Sequence, residues 1–432
     1  MIEFLTLFLA VAWGERTVEV TVDPTVAAVE FRLNGTTRSR VEGPPWQANI
    51  QLGMPAPMEL TAVAFDAAGA EIDRVSQRIN FGPFLAEARL LLLREGDAPP
   101  TQARLIWETF DHRQPKRIEA RFDGHKVRFQ RTDEGALIAI PPHDNEFPHL
   151  LEAELEFRDK IRTRADLPFG GRYGDRVSSD LTAVPILLPD GMALPSPQDV
   201  AGWLQAHGKA LPVFAVRQEP ALLFIVRDNL LRQPLPISAE DKERLKKAPK
   251  GVTQQDDVYF QDTVPQLNQD GDRPTAIFGH ELVRRAHKKA GMDFVIRHLG
   301  PKGSDSGEPQ RLVDAMVAAG QGAAQSGRPR AVVLLIDPAS DDASQIPPQH
   351  AAAYLKTLHI PTFVWSLGDG SRSATVAAFH QPGSDYGPTS AAQMLTALDR
   401  TLRRQVIVWL EGRHLPQDIR LSSSAPPGVL LP

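Results

Sequence analysis

The stretch from Arg330 through Ala331, Val332, Val333, Leu334, Leu335 and Ile336 to Asp337 constrains this chain more than any other. Uninterrupted apolar residues ending in one aspartate mark a strand covered on both faces, because a half-exposed strand alternates. A polar loop follows, then Pro348–Leu358 reads as an amphipathic helix with proline in its first turn, and Ile360–Ser366 as a second buried strand. These residues predict a βαβ unit in a parallel sheet, whose first strand delivers Asp337 to the edge where open α/β sheets place ligands.

Length and charge bound the rest. A chain of 432 residues accommodates about two to four domains. Charged residues are 23% of the chain and the net charge is only −5, which gives no field for nucleic acid or an anionic membrane as partner. Cysteine is absent, which removes disulfides and thiolate chemistry.

Residues 1–14 contain the apolar run Phe4–Trp13 with the small-x-small pattern Ala10-Val11-Ala12, the composition of a signal peptide. The other reading of the same residues is a first β-strand. No stretch reaches the ~18 consecutive apolar residues of a membrane span, so the mature form is expected to have none. An extracytoplasmic protein, periplasmic or secreted, is the expectation.

From Thr17 to Leu93 short alternating runs predict a β-sandwich over residues 15–95, with Asn34-Gly35 as a hairpin turn. Asn34-Gly35-Thr36 is also a formal glycosylation acceptor, but the turn already explains it. The pattern recurs: Lys116–Gly124 parallels Val26–Gly35, and Leu151–Asp159 parallels Met58–Asp66. A second sandwich is therefore expected over 100–170, followed by a junction at Phe169–Gly174, an α/β domain over 175–415 and a tail over 416–432. Within the α/β part, Thr182–Leu188 reads as an edge strand, Pro197–His207 as a helix, Leu211–Val216 as a strand, Ala221–Asp228 as a second buried run ending in aspartate, Asp293–Leu299 as a strand, and Gln310–Ala324 and Thr389–Leu402 as helices before the strand Gln405–Trp409.

Val29–Gly35, Pro44–Trp46 and Leu60–Gly69 resemble the immunoglobulin-like modules of bacterial exported proteins. The later region, through Phe224–Asp228, Pro309–Met316, Ala331–Asp337 and Ile360–Gly368, resembles the von Willebrand factor A-type domain in its divergent exported bacterial form. That resemblance implies a rim at which hydroxyls and carboxylates bind one divalent cation, magnesium in the simplest case, completed by an acidic residue of a protein partner. Asp228 and Asp337 match its aspartates, whereas Leu230, Arg232 and Gln310 stand at its two serines and its threonine. Two carboxylates without hydroxyls are too few for a hard cation. The expectation is a vestigial site at Asp228 and Asp337 holding no cofactor, with Arg232 or a neighbouring donor in the ion's place and Asp341, Asp342 and Ser344 as the other ligands the nearby loop offers.

The remaining motifs carry less. His280-Glu281 lacks the second histidine of a zinc-protease motif and reads as a helix start; Gly300–Gly307 lacks phosphate-loop spacing; Lys242–Lys250 reads as a solvated helix end; Trp46, Trp107, Trp365 and Trp409 read as core. The functional expectation is an exported, non-enzymatic protein that binds or scaffolds a protein partner. The alternatives are a metal-dependent hydrolase at the Asp228/Asp337 rim and an intracellular chaperone-like assembly factor.

Overall fold

Alternation of side chains along the first strands separates an inner from an outer face, and this sorts most of the chain into sheets before any helix appears. The computed structural model describes residues 2–432 apart from 7, 9–10, 23, 82–85, 94–98, 110–113, 133–134, 145–146, 148, 158–161, 171–180, 230, 232–238, 241–242, 245–255, 269–274, 283–308, 325–326, 338, 368–372 and 380–390. The chain is mostly β and falls into two units, one of residues 1–82, 183–408 and 415–432, the other of residues 83–182 and 409–414. The expected strand Asp293–Leu299, the Gly300–Gly307 loop, residues 171–174 of the junction and most of Lys242–Lys250 lie outside the described residues.

The first unit begins with β1 (Ile2–Phe4), β2 (Glu15–Val22), β3 (Ala28–Leu33), β4 (Thr36–Val41), β5 (Gln47–Gln51), β6 (Met58–Phe65) and β7 (Glu71–Ile79). They form a three-stranded sheet in the order β1-β2-β5 and a four-stranded sheet in the order β4-β3-β6-β7. Val18, Val20, Ala48 and Ile50 of the first sheet meet Phe31, Leu33, Leu60 and Ala62 of the second in one buried cluster. Within the residues expected as a leader, Ile2–Phe4 pairs antiparallel with Val20–Val22, and Ala12 is buried.

The second unit contains β8 (Ala86–Leu93), β9 (Gln102–Thr109), β10 (Arg117–Phe122), β11 (His125–Lys126), β12 (Phe129–Thr132), β13 (Gly135–Ala139), β14 (His149–Glu156) and β15 (Arg162–Phe169). Its sheets run β12-β13-β9-β8 and β11-β10-β14-β15. β8, which the sequence groups with the first sandwich, pairs with β9 from Ala86 to Leu93. Leu105, Ala136 and Ile138 of one sheet pack on Ile118, Ala120, Leu151 and Leu155 of the other.

The sequence repeat has a structural counterpart. The orders β4-β3-β6-β7 and β11-β10-β14-β15 are the same topology, with a two-residue turn after β3 and after β10. Asn34 and Asp123 open those turns at φ 51° and 48°, and Gly35 and Gly124 follow at 75° and 80°, the left-handed pair that twisted hairpins need. Each turn is fastened to the next strand in the same way. The N–H of Asn34 donates to Glu59 O at 2.8 Å and its Oδ1 accepts from Glu59 N at 2.9 Å. Asp123 does the same with Leu150, at 2.9 Å in both directions.

The rest of the first unit is α/β. Its strands are β16 (Leu181–Leu187), β17 (Leu204–Ala206), β18 (Lys209–Ala210), β19 (Val213–Arg217), β20 (Leu222–Arg227), β21 (Asp257–Gln261), β22 (Gln266–Asn268), β23 (Thr275–Ile277), β24 (His280–Leu282), β25 (Arg330–Ile336), β26 (Thr362–Ser366), β27 (Gln405–Glu411) and β28 (Ile419–Leu421). Its helices are α1 (Pro197–Val200), α2 (Leu312–Ala324), α3 (Pro348–Thr357), α4 (Ala374–Phe379) and α5 (Ala391–Arg404). The central sheet runs β24-β21-β20-β25-β26; β20 is parallel to β21 and β25, β25 is parallel to β26, and only β24 is antiparallel.

Pleating splits the apolar runs between two faces. Leu223, Ile225, Val333, Leu335 and Phe363 pack against Leu395 and Leu398 of α5. Phe224, Val226, Val332, Leu334 and Ile336 pack against α2 and α3. A side chain at Gly320 would bring its Cβ within 1.9 Å of Leu355 Cδ2, so glycine there is what lets α2 approach α3 so closely.

Four expectations need correction. Pro197–His207 is not one helix: α1 stops at Val200, Gly202 takes φ 86°, and Leu204–Ala206 pairs with β28. β16, β27 and β19 form a sheet of their own instead of extending the central one, although β16 is at an edge as expected. His280 lies in a strand, its ring against Phe224 and Tyr259, and does not begin a helix. Residues 416–432 are paired chain, with β28 against β17 and Leu430 bridged to Leu187.

Two basic groups, the buried Arg330 and the half-buried His359, lie at the far end of the sheet. The Arg330 guanidinium is fully desolvated, which lowers its pKa to about 10. It donates to Ala324 O at 3.1 Å and Leu358 O at 3.0 Å, carbonyls at the C-terminal ends of α2 and α3, where helix dipoles favour a cation. His359 follows α3 at φ 54° with Nε2 3.1 Å from Pro416 O, and burial pushes its pKa down to about 4. Between the ordinary value near 6.5 and about 4 the unfolded chain takes up a proton that the folded chain refuses, so stability is lost as pH falls through that window. Chemical denaturation from pH 7 to 4.5 should show a decline to which His359 contributes up to about 3 kcal/mol. His359→Asn, which tolerates the left-handed backbone, should flatten that part of the profile.

Candidate functional site

The site is built at the carboxyl ends of two adjacent parallel strands. Because Arg227 of β20 lies beside Leu335 of β25 in the register, Asp228, one residue past Arg227, and Asp337, two past Leu335, reach the same rim. The backbone N–H of Asp228 donates to Leu335 O at 2.9 Å, which continues the ladder for one more residue. Asp228 is completely buried, whereas Asp337 is partly exposed.

A buried carboxylate needs donors for its oxygens. Asp228 Oδ1 accepts from Gln310 Nε2 at 3.1 Å. Asp228 Oδ2 accepts from Asp337 N at 3.1 Å and from the Ser340 hydroxyl. The neighbouring Arg227 guanidinium, also buried, donates to Leu231 O at 3.1 Å. Desolvation lowers its pKa, and attraction to Asp228 works against that shift. Asp337 turns its own Oδ1 back on Ala339 N at 3.0 Å, as an Asp in a tight turn does.

The loop after β25 is fixed at its other end by α2. Asp342 Oδ1 accepts from Leu312 N at 2.8 Å, and Ser344 Oγ accepts from Val313 N at 2.9 Å and Asp314 N at 3.1 Å. These satisfy the orphan donors of the helix start with an anion from another segment. Asp314, itself buried, accepts in return from Gln345 N at 3.0 Å, Ile346 N at 2.9 Å and Arg311 Nε at 2.7 Å. The loop and the helix therefore hold each other through reciprocal caps.

The expected residues are thus only partly brought together. Asp228, Asp337 and Gln310 converge, and Asp341 contributes its carbonyl, which accepts from Gln310 Nε2 at 3.0 Å. Asp342 and Ser344 cap the helix instead of facing Asp228. Leu230 and Arg232 lie outside the described residues. Ser340 and Arg227 were not anticipated; Arg227 breaks an otherwise apolar run just before the aspartate, and that is the signal available for it.

A divalent cation does not fit this donor set. Hard cations require several oxygens converging at about 2.0 to 2.6 Å, and here the place between Asp228 Oδ1 and Asp341 O is taken by a donor, Gln310 Nε2, while Asp228 Oδ2 accepts from Asp337 N and Ser340. Among the described residues no group of three or more His, Cys, Asp or Glu side chains is arranged to hold a metal ion. No helix among them is long and apolar enough to cross a membrane.

No family model matches the chain, and no curated protein matches it. Several solved structures are similar to parts of it, among them the following three. Fibronectin(III)-like modules of CbhA from Clostridium thermocellum share 18% identity over 18% of this chain and 93% of that one, with a TM-score of 0.17. SGBP-B from the Bacteroides ovatus mixed-linkage glucan utilization locus, in complex with a mixed-linkage heptasaccharide, shares 15% identity over 50% of this chain and 58% of that one, with a TM-score of 0.15. A β-glucuronidase from glycoside hydrolase family 2 shares 10% identity over 66% of this chain and 35% of that one, with a TM-score of 0.20. Superpositions this loose carry no argument about this protein.

Removing the Asp228 carboxylate leaves Asp337 N–H, Ser340 and Gln310 without their acceptor. Asp228→Ala should cost about 3 kcal/mol in urea denaturation, the range for leaving buried polar partners unpaired. Calorimetric titration of the unaltered chain with magnesium should give no binding tighter than ~1 mM, the weak end for hard-cation sites.

Proposed function

We propose that this is an exported, non-enzymatic protein that binds or scaffolds a protein partner. Its α/β part is a divergent von Willebrand factor A-type domain, carried with two immunoglobulin-like sandwiches, one ending at β7 (Ile79) and the other running from β8 (Ala86) to β15 (Phe169). The observation that carries this reading is the rim itself. Asp228 and Asp337 stand side by side past parallel strands, the arrangement of a ligand-binding edge. Yet Asp228 is fastened to Gln310, Ser340 and Asp337 N–H, which suits a rigid recognition surface and leaves this carboxylate engaged with the protein instead of aimed at a water. The paired turns at Asn34-Gly35 and Asp123-Gly124 support the reading of two related sandwich modules.

Export follows from the sequence reading of residues 1–14, and its cost can be stated. Cleavage after Ala12 would remove the residue whose N–H and C=O both bond the Asn80 side chain, at 2.7 Å each, and leave Asn80 Nδ2 with Ala56 O at 3.0 Å.

The test uses the tagged full chain as bait on an envelope extract of its own organism, with and without EDTA. A specific protein should be retained in equal amounts under both conditions. Metal-dependent turnover of ester or phosphate substrates that disappears in Asp228→Ala, with no retained protein, would support the hydrolase instead.

A further inference from the structure

We propose that the Gln310 carboxamide is a built-in replacement for a metal ion at this rim, so that the geometry of the face is set without any divalent cation. Gln310 joins three segments of the rim through one side chain. Its Oε1 accepts from Asn229 N at 3.1 Å, just past β20. Its Nε2 donates to Asp228 Oδ1 at 3.1 Å and to Asp341 O at 3.0 Å, in the loop after β25. Gln310 itself stands two residues before α2.

The orientation of the amide is fixed by this set. Both partners of Nε2 are acceptors and the partner of Oε1 is a donor, so a flipped amide would set its carbonyl against a carboxylate oxygen and a carbonyl oxygen. An ion touching both Asp228 Oδ1 and Asp341 O would need the space Nε2 holds, and would have to expel the side chain from all three bonds. The amide nitrogen thus places partial positive charge between two oxygens, which is the electrostatic task of a cation, and adds no requirement for metal.

This rests on the proposed function for the recognition face and for the metal that the amide replaces; the tether itself stands on the contacts alone. It follows that a partner docking here does so without contributing an acidic metal ligand.

The experiment compares the full chain with Gln310→Met and Gln310→Glu by thermal unfolding and by hydrogen exchange, in EDTA and in about 5 mM magnesium, above the ~1 mM of weak hard-cation sites. The unaltered chain should melt at the same temperature in both. Gln310→Met should melt about 3 °C lower, exchange faster around Asn229, and remain insensitive to magnesium. Gln310→Glu sets a carboxylate against Asp228, so it should melt lower in EDTA and recover by several degrees in magnesium, a response that a purely structural role would not produce. Magnesium stabilisation of the unaltered chain, an unchanged Met variant, or a Glu variant that gains nothing from magnesium would overturn the proposal. If the Glu variant fails to fold in either buffer, the Met variant decides. Partner retention in EDTA would persist through any of these failures, which separates them from failure of the binding reading.

Discussion

Burial of the Asp228 carboxylate is the constraint on which the rim depends. A wholly desolvated anion costs several kcal/mol unless its oxygens are met by donors and a positive group stands near. Asp337 N–H, Ser340 and Gln310 meet the oxygens, and Arg227 supplies the nearby charge. These groups come from three segments, so satisfying one carboxylate also sets the end of β20, the loop after β25 and the entry to α2. The reciprocal caps between Asp342, Ser344 and Asp314 then hold the loop at its other end.

The same economy appears where the first sandwich meets the α/β part within one unit. The Tyr354 hydroxyl of α3 donates to Asn80 O, and burial raises the phenol pKa, which keeps that proton in place. Asn80, in the left-handed region at φ 62°, uses its side chain on Ala12 and Ala56. Val11, Trp13 and Phe81 pack beside the α2/α3 face of the sheet. A handful of polar contacts inside an apolar seam thus joins two kinds of architecture.

Much of this was legible in the sequence, for reasons that also explain what was not. The runs ending at Asp228 and Asp337 are apolar on both faces because helices cover both faces, so their identity as buried strands is legible directly. Asn34-Gly35 and Asp123-Gly124 reveal hairpins because few other dipeptides hold the left-handed backbone. The choice of partner strand is not written in an apolar pattern, and so neither the pairing of β8 with the second sandwich nor the separate sheet of β16, β27 and β19 is legible in the sequence. Ser340 escaped notice because its role depends on how one loop folds back over Asp228, and no spacing rule encodes that. Gln310 was identified by position, but only the geometry gives its amide a task.

The account stands on what lies between Asp228 and Asp341. The most direct measurement is a crystal structure of the full chain grown in manganese, with anomalous diffraction collected at the metal edge. The account predicts no anomalous peak at the rim and the Gln310 amide nitrogen at hydrogen-bond distance from Asp228 Oδ1 and Asp341 O. A peak within about 2.0 to 2.6 Å of Asp228, the coordination range of a hard cation, with Gln310 displaced, would contradict it.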